Sequence, residues 1–360
     1  MQTTGKFNRS LRIILAITAK DILDALKNKT TISVIVSALF LLLFYIFLPM
    51  LEQDSIIRLY DADGSTWLPA LEQSQPFKIS DYSTQEAMLY RISRSGELEL
   101  GLVLPHGFDQ AVSKGGSIEL QGYLLNWVSH HQTEEMITKA KAQISAVVGV
   151  PVTITLERLF MLPESTGTSL SRALGSLLLI LMSGMVLVPN LMLEEKRART
   201  LDALMVSPAS AGQITIGKAF AGLFFCLLGY GLACLFNASL IIQWGLTLLA
   251  GTCAALFSVA FGMLLGELVE NRQQMTLSAN FTIFPMVIAV FISIETELLP
   301  AWLVSICRWL PVTAAFDLLR TSFTPHTNMA FIVSRSADIL LFVILILAFV
   351  AWKIRRSDRV

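Results

Sequence analysis

Charged side chains are scarce in this chain. Only 15% of its 360 residues are Asp, Glu, Lys or Arg, whereas 54% are hydrophobic. Because soluble domains carry about 25% charged residues, this deficit indicates a membrane protein. The 27 basic and 27 acidic side chains leave no formal net charge, so the charge balance does not suggest a nucleic-acid partner.

Cysteine is also rare, and nothing about its placement indicates redox or metal chemistry. None of the four cysteines forms a CxxC pair, and the first three lie in apolar runs. We therefore expect small buried apolar side chains rather than a disulfide scaffold or a thiolate metal site. The four residues are Cys226, Cys234, Cys253 and Cys307.

The sequence shows no catalytic grouping and only a weak metal pattern. His130 and His131 precede Glu134 and Glu135 at i,i+4 spacing, but no third ligand is evident. A solvated helix start is therefore favoured over a metal site. We expect no catalytic residue, no metal and no cofactor on this chain. A cleavable signal peptide is not indicated either, and the first apolar run is interpreted as a retained signal anchor.

Six apolar stretches are long enough to cross a membrane, which takes about 20 residues per helix. They predict a polytopic α-helical membrane protein with six transmembrane helices, the first within residues 31–51 and the others within 170–354. Residues 1–30 are predicted to form an amphipathic helix in the membrane interface, with a simple extension of the first span as the alternative. The six stretches are Thr31–Leu51, Leu170–Leu193, Ile214–Ile241, Trp244–Leu268, Thr276–Ile294 and Ala337–Ile354.

Residues 52–169, between the first two spans, differ in character. The strand-like runs IIRLYD, ELELGLVLP and SIELQGYLL, with helical segments after Ser83 and before Gly149, predict an inserted α+β domain. Lys and Arg near spans are retained in the cytoplasm, and they are concentrated in residues 1–30, in 194–218 and at the C-terminal end. Six spans place these three segments on one side. Both termini, with the tail 355–360, are therefore predicted in the cytoplasm of an inner-membrane protein, and the domain is predicted to be extracytoplasmic.

The stretch GQITIGKAF, Gly212–Phe220, partly matches a phosphate-binding loop. That motif needs Ser or Thr after the Gly-Lys pair to hold Mg²⁺ and must join a strand to a helix. Here Ala219 follows the pair, and the stretch runs into the third span. Nucleotide binding is therefore not predicted, and Lys218 is expected to reach the lipid headgroups.

The preceding segment, LEEKRARTLDALMVSP, combines a charge run with an apolar stripe at Leu201, Leu204 and Met205. The charge run is too costly to bury in a membrane. An ordinary charged loop is the alternative, but the stripe favours docking in a groove of a separate protein.

These residues carry a family resemblance. Glu-Glu-Lys-Arg at 194–197, Thr200-Leu201, Val206-Ser207-Pro208 and Gly217-Lys218 resemble the signature of type-2 ABC exporter permeases. Gly101–Gly115, Leu299–Trp302 and Pro311–Thr313 are similar to further elements of that family. The resemblance implies a coupling helix at about 194–208 that docks on an ATP-binding-cassette ATPase. It also implies a homo- or heterodimer of permease chains, with ATP and Mg on the ATPase subunits, and short extracytoplasmic helices at about 297–334.

The site residues follow from this resemblance and from polar residues near the spans. The coupling interface is predicted at Glu194, Glu195, Lys196, Arg197, Arg199, Thr200, Leu201, Leu204, Ser207 and Pro208. A second cytoplasmic contact, or merely a polar turn, is predicted at Glu267, Glu270 and Arg272. Asn190, Asn237 and Asn280 are candidates for a transport path, although helix packing is the favoured role.

The predicted function is the permease subunit of an ABC exporter that moves an amphipathic, drug-like or lipid-linked substrate. The alternative is a mechanotransmitting or sensory membrane protein whose outer domain binds a ligand or partner without transport. Membrane lipids are expected partners in both cases. The substrate, and whether a periplasmic partner exists, stay open.

Overall fold

A computed structural model of the chain consists of a sheet domain joined to a bundle of long helices. The residues that it describes are 2–27, 32–33, 36–37, 39–44, 56–74, 76–95, 97–162, 168–198, 211–294, 299–325 and 327–357.

The sheet domain, residues 56–162, follows an N-terminal helix, α1 (Gln2–Lys27), and alternates strands with helices. Its elements are β1 (Ile56–Asp61), α2 (Leu68–Glu72), β2 (Lys78–Tyr82), α3 (Gln85–Ser95), β3 (Glu99–Leu104), α4 (Phe108–Ser113), β4 (Ile118–Leu125), α5 (His130–Val148) and β5 (Val152–Leu159).

The five strands form one mixed sheet in the order β2-β1-β3-β4-β5. β1 pairs in parallel with β2 and β3, and β4 pairs in parallel with β5, whereas β3 and β4 are antiparallel. Parallel strands need crossover connections, which α2, α3 and α5 supply. Two of the strands, β2 and β5, were not predicted from the sequence.

Local sequence explains these elements. In β1, Ile57 and Leu59 are buried while the residues between them are half-buried, as the two-residue period of a strand requires. On the opposite face α3 lies close to the sheet at Gly101, where an added Cβ would come within 2.7 Å of Ile92. α5 begins with a capping box at Ser129 and ends at Gly149, as predicted.

Both connections from the sheet domain to the rest of the chain leave from the same end of the strands. β1 begins at Ile56, soon after the first predicted span, and β5 ends at Leu159, shortly before the next helix at Thr168. Because β4 and β5 run opposite to β1 and β3, the start of β1 and the end of β5 lie at the same end of the sheet. We call the end of the helical bundle to which these two connections lead the domain end.

The bundle contains long helices whose apolar stretches can cross a membrane. Five such stretches occur among the described residues, at Ser169–Leu193, Gly212–Phe236, Trp244–Leu268, Gln273–Ile294 and Met329–Lys353, and they correspond to predicted spans two to six. Only part of the first predicted span, 31–51, is described, and its longest described stretch, 39–44, is helical. The helices are α6 (Thr168–Met182), a π-helical turn (Ser183–Leu187), α7 (Val188–Ala198), α8 (Ala211–Phe236), α9 (Trp244–Leu268), α10 (Arg272–Ile294), α11 (Ala301–Arg308), α12 (Pro311–Thr321) and α13 (Met329–Ser357).

Two short helices, α11 and α12, lie within the range 297–334 where short helices were predicted, with a 79° bend between them. The last helix begins at Met329 instead of Ala337. Its polar first turns are tolerated because Arg335 forms an ion pair with Asp317 of α12 at 3.0 Å.

α6, the π turn and α7 form one continuous helix that packs closely on α9. An added Cβ at Gly184 or Gly262 would collide with the facing helix, and Ser258 Oγ donates to the Ile180 carbonyl at 2.9 Å. Pro189 follows the π turn, and its missing N–H removes one helical hydrogen bond there. This packing fixes the helix that connects the domain end to the opposite end.

Candidate functional site

The predicted coupling segment, 194–208, includes the end of α7 and precedes α8 in the chain; α7 ends, and α8 begins, at the end of the bundle opposite to the sheet domain. α7 is helical through Ala198, and α8 begins at Ala211. The side chains of Glu194, Glu195, Lys196 and Arg197 are outside the described part of the structure. Arg199, Thr200, Leu201, Leu204, Ser207 and Pro208 lie outside the described residues altogether.

The segment is mounted on a junction of three helices, which we call the α1–α7–α8 junction. α1 lies alongside α8, and Thr18 Oγ1 donates to the Gly217 carbonyl at 3.1 Å. Gln213 Nε2 donates to Ser10 Oγ at 2.7 Å. An added Cβ at Gly217 would lie 2.7 Å from Ile17, so this close approach depends on a glycine.

Lys218 is buried in this junction, which corrects the prediction that it reaches the headgroups. Only 5% of Lys218 and 6% of Asp21 is exposed. Lys218 Nζ lies 3.8 Å from Asp21 Oδ2 of α1 and donates to the Leu191 carbonyl of α7 at 3.4 Å. A buried ammonium needs an opposite charge and hydrogen-bond acceptors. Because α1 and α7 supply both, Lys218 turns inward and links three helices.

Apolar side chains close the same junction. Ala25 of α1 packs with Leu187, Leu191, Ala221 and Phe225 in a separate buried cluster. Burial of this kind contributes about 25 cal/mol per Å² of apolar surface removed from water. The cluster therefore holds α1 against the two helices that flank the coupling segment.

The partial phosphate-loop match is part of a helix. Residues 212–220 fall within α8, which is helical from Ala211. A phosphate-binding loop uses backbone N–H groups that point at the phosphates from an irregular loop. In α8 the N–H groups beyond the first turn are bonded within the helix, and Lys218 is directed to α1 and α7.

Comparison with known proteins then identifies the family. A family model described as ABC-2 family transporter protein matches residues 29–353. The chain belongs to the ABC-2 transporter family. Such proteins are the membrane component of ABC transport and normally work with an ATPase partner, so this chain has a permease role in the membrane. No curated protein and no solved structure matches it.

The predicted second contact of this ABC-2 protein lies beside α7. α7 contacts both α9 and α10, and an added Cβ at Gly266 would come within 2.5 Å of Met192 Sδ. Lys353 Nζ of α13 donates to the Glu267 carbonyl at 2.9 Å, and Glu270 is exposed in the turn. Arg272 begins α10, and its side chain is not described. The α9–α10 turn is therefore adjacent to the helix that enters the coupling segment.

The three candidate path asparagines are not brought together. Asn190 is buried and donates to the Val186 carbonyl of its own helix at 3.0 Å. Asn280 is exposed on α10. Asn237 is buried at the domain end, where its Oδ1 accepts from Arg172 and its Nδ2 donates to Ser176 Oγ at 3.3 Å. The contacts of Asn237 are those of a helix-packing residue, the role that the sequence favoured.

The sheet domain contains a cleft of about 530 Å³ at the end of the strands opposite to the connections with the bundle. Tyr60, Gln85, Gln121 and Thr155 are among its lining residues. Beside it, Asp63 accepts hydrogen bonds from the backbone N–H of Gly107 and from His106, each at 2.6 Å, and these bonds lower the pKa of Asp63. The cleft offers hydroxyl, amide and carboxylate groups to a polar ligand.

The described residues contain no group of three or more His, Cys, Asp and Glu side chains that could hold a metal ion. His130 Nδ1 and Glu134 Oε1 are 3.5 Å apart, and both side chains are exposed. They lie in the first turns of α5, as the solvated helix start predicts.

Proposed function

We propose that this chain is the permease subunit of an ABC exporter and that it moves an amphipathic, drug-like or lipid-linked substrate out of the cytoplasm. ATP and Mg are bound by a separate ATPase chain, which docks on the segment 194–208. The observation that carries the proposal is the α1–α7–α8 junction, because it ties both flanks of that segment to one buried unit.

In the proposed mechanism, ATP binding closes the ATPase pair and displaces the coupling segment. α7 and α8 receive this displacement directly because they flank the segment. Lys218 contacts α1 and α7 from within α8, so the three helices move as one body. α7 also contacts α9 and α10, through which the displacement reaches the rest of the bundle.

The proposal includes an orientation and a second permease chain. The junction end is cytoplasmic, with both termini, and the sheet domain is extracytoplasmic in the cell inner membrane. The apolar outer surface of α10, where Phe281 is 77% exposed, suits lipid or the second permease chain of a homo- or heterodimer.

The decisive experiment is purification of the chain with its ATPase in mild detergent, followed by reconstitution. Leu204→Asp is expected to abolish ATP-driven export while the chain still inserts, because a charge disrupts an apolar docking stripe. Asp202→Asn is the matched control on the same segment and is expected to export normally. Normal export by Leu204→Asp, or purification without any ATPase that carries a complete phosphate-binding loop, would contradict the proposal.

The cleft in the sheet domain favours one alternative, a mechanotransmitting or sensory protein that binds a ligand or partner outside the membrane. In that case the reconstituted complex hydrolyses ATP in response to a ligand at the cleft, but no compound crosses the bilayer. Measuring ATP hydrolysis and transport on the same vesicles, across a panel of amphipathic compounds, separates the two functions.

A further inference from the structure

Arg172 is a buried cation at the domain end of the bundle. It is the fifth residue of α6 and is only 7% exposed. Its Nη1 donates to the Phe236 carbonyl and to Asn237 Oδ1, both at 3.2 Å. Nε is buried without a hydrogen-bond partner, and within the described part of the chain Nη2 makes no hydrogen bond. No carboxylate there lies within 4 Å of the guanidinium.

Three other cations of the described residues have acidic partners. Lys218 faces Asp21, Arg58 forms an ion pair with Glu99 at 2.6 Å, and Arg335 forms one with Asp317. A buried charge without a partner is strongly destabilising, and ionisable groups inside membrane spans often have a functional role. Arg172 therefore differs from these three cations.

The free groups of Arg172 have the geometry of an anion receptor. Nη1 is held by Phe236 and Asn237, which leaves the Nε–Nη2 edge of the guanidinium without bonds to the described residues. Two parallel N–H groups on one edge are the arrangement with which arginine binds phosphate or carboxylate in a bidentate manner. The two protein contacts thus fix the orientation of the guanidinium and leave that edge without a hydrogen bond to the described residues.

The surroundings of Arg172 carry hydroxyl and amide groups. A small cavity next to Asn237 is lined by Ser176, Tyr230 and Thr247, together with apolar residues. The described part of this lining contains no Asp or Glu, so it places no negative charge next to Asn237.

Depth in the membrane indicates the source of that anion. Arg172 is the fourth residue of the span Ser169–Leu193, which places its Cα about 5 Å inside the span at 1.5 Å per residue. Arginine side chains at this depth meet the phosphates of lipid headgroups. A phosphodiester headgroup at the domain end is thus within reach of the guanidinium.

We propose that Arg172 binds a phosphate-type oxyanion, and that an anionic phospholipid of the membrane leaflet at the domain end supplies it. The lipid phosphate accepts hydrogen bonds from the Nε–Nη2 edge and provides the counter-charge that the described residues lack. This site is independent of the direction of transport and of the ATPase partner.

The test measures the thermal unfolding midpoint of the full chain in neutral detergent with added lipid. Phosphatidylglycerol is expected to raise the midpoint by several degrees, and phosphatidylcholine is not, since a net negative charge is required. The rise is expected to disappear in Arg172→Met. Arg308→Met, which removes an exposed arginine at the same end, is the matched control and is expected to keep the full rise.

A second variant keeps the proposal testable if Arg172→Met fails to fold. Asn237→Asp retains the arginine and the side-chain volume but places a carboxylate next to Nη1. It is expected to raise the midpoint without lipid and to abolish the response to phosphatidylglycerol. A response that survives Asn237→Asp or Arg172→Met would overturn the proposal, as would equal responses to the two lipids.

Inorganic phosphate separates the two sources of the oxyanion. If free phosphate at millimolar concentration reproduces the full rise, and Arg172→Met removes it, the anion site stands but its lipid origin is wrong. If only phosphatidylglycerol produces the rise, the lipid is the ligand.

Discussion

The two ends of the bundle each bury a basic side chain, but they neutralise it differently. Lys218, at the α1–α7–α8 junction, has Asp21 and a backbone carbonyl as partners. Arg172, at the domain end, has only neutral acceptors in the described residues. At the junction, a carboxylate of the same chain neutralises Lys218. At the domain end, the counter-charge of Arg172 has to come from a molecule outside the described residues.

The largest loss of stability is expected at the α1–α7–α8 junction, where Asp21 balances the charge of Lys218. Asp21→Leu leaves the Lys218 ammonium buried without its carboxylate, and we expect a loss of about 3 to 5 kcal/mol in the free energy of unfolding. Asp21→Leu combined with Lys218→Met should recover most of this loss, since an apolar pair needs no counter-charge. Denaturant unfolding measures both. Asp24→Asn, an exposed acid on the same helix, is the control, and an unchanged stability for Asp21→Leu would refute the pairing.

A steric change at the same end should cost less. Gly217→Ala places a methyl group about 2.7 Å from Ile17, and overpacking of this kind costs about 1 to 3 kcal/mol. Ile17→Ala in the same chain should relieve it. Gly231→Ala, elsewhere on α8 with open space around it, should be neutral or slightly stabilising. Equal losses for the two alanine variants would mean that α1 does not lie against Gly217.

The ion pairing of a second arginine can be weakened at the domain end. Asp317→Asn removes the carboxylate 3.0 Å from Arg335 and should lower the free energy of unfolding by about 1 to 3 kcal/mol. Asp338→Asn, whose carboxylate is 3.9 Å from the same arginine, should have the smaller effect. If Asp317→Asn left the free energy of unfolding unchanged, an arginine at the domain end would not need an acidic partner. The contrast drawn between Arg172 and Lys218 would then be wrong.

The smallest change in stability is expected for Asp63, a solvent-exposed carboxylate beside the cleft of the sheet domain. The pKa of Asp63 is lowered from its ordinary value of 3.8, chiefly by the hydrogen bond from Gly107 N–H. A lowered pKa in the folded state stabilises the domain above pH 3.8, and this contribution is lost as the pH falls through the lowered value. Asp63→Asn should therefore flatten the acid limb of a thermal-midpoint titration slightly. An unchanged acid limb for Asp63→Asn would contradict this assignment.

The sequence predicted what depends on continuous runs of residues. The span Trp244–Leu268 was predicted with the bounds that α9 has, because apolar length alone defines a transmembrane helix. β5, in contrast, was missed although its run VTITLERL alternates. β2 was missed because Ile79 is the only fully buried residue in its five.

A partner that is distant in the chain explains the error at Lys218. Lys218 stands near a span end, where the sequence indicates headgroup contact. It is buried instead because Asp21, on another helix, supplies its counter-charge. No local pattern reveals such pairing. The available signal was Asp21, an acidic residue among the basic residues of the predicted interfacial helix.

The π-helical turn at Ser183–Leu187 has a geometric consequence for the link between the two ends. It holds one residue more than an α-helical turn, and one residue advances a helix by roughly 100° around its axis. The inserted residue therefore rotates α7 by a fixed angle relative to α6. This rotation sets the direction in which Leu191 presents its carbonyl to Lys218, and with it the orientation of the α1–α7–α8 junction relative to the domain end.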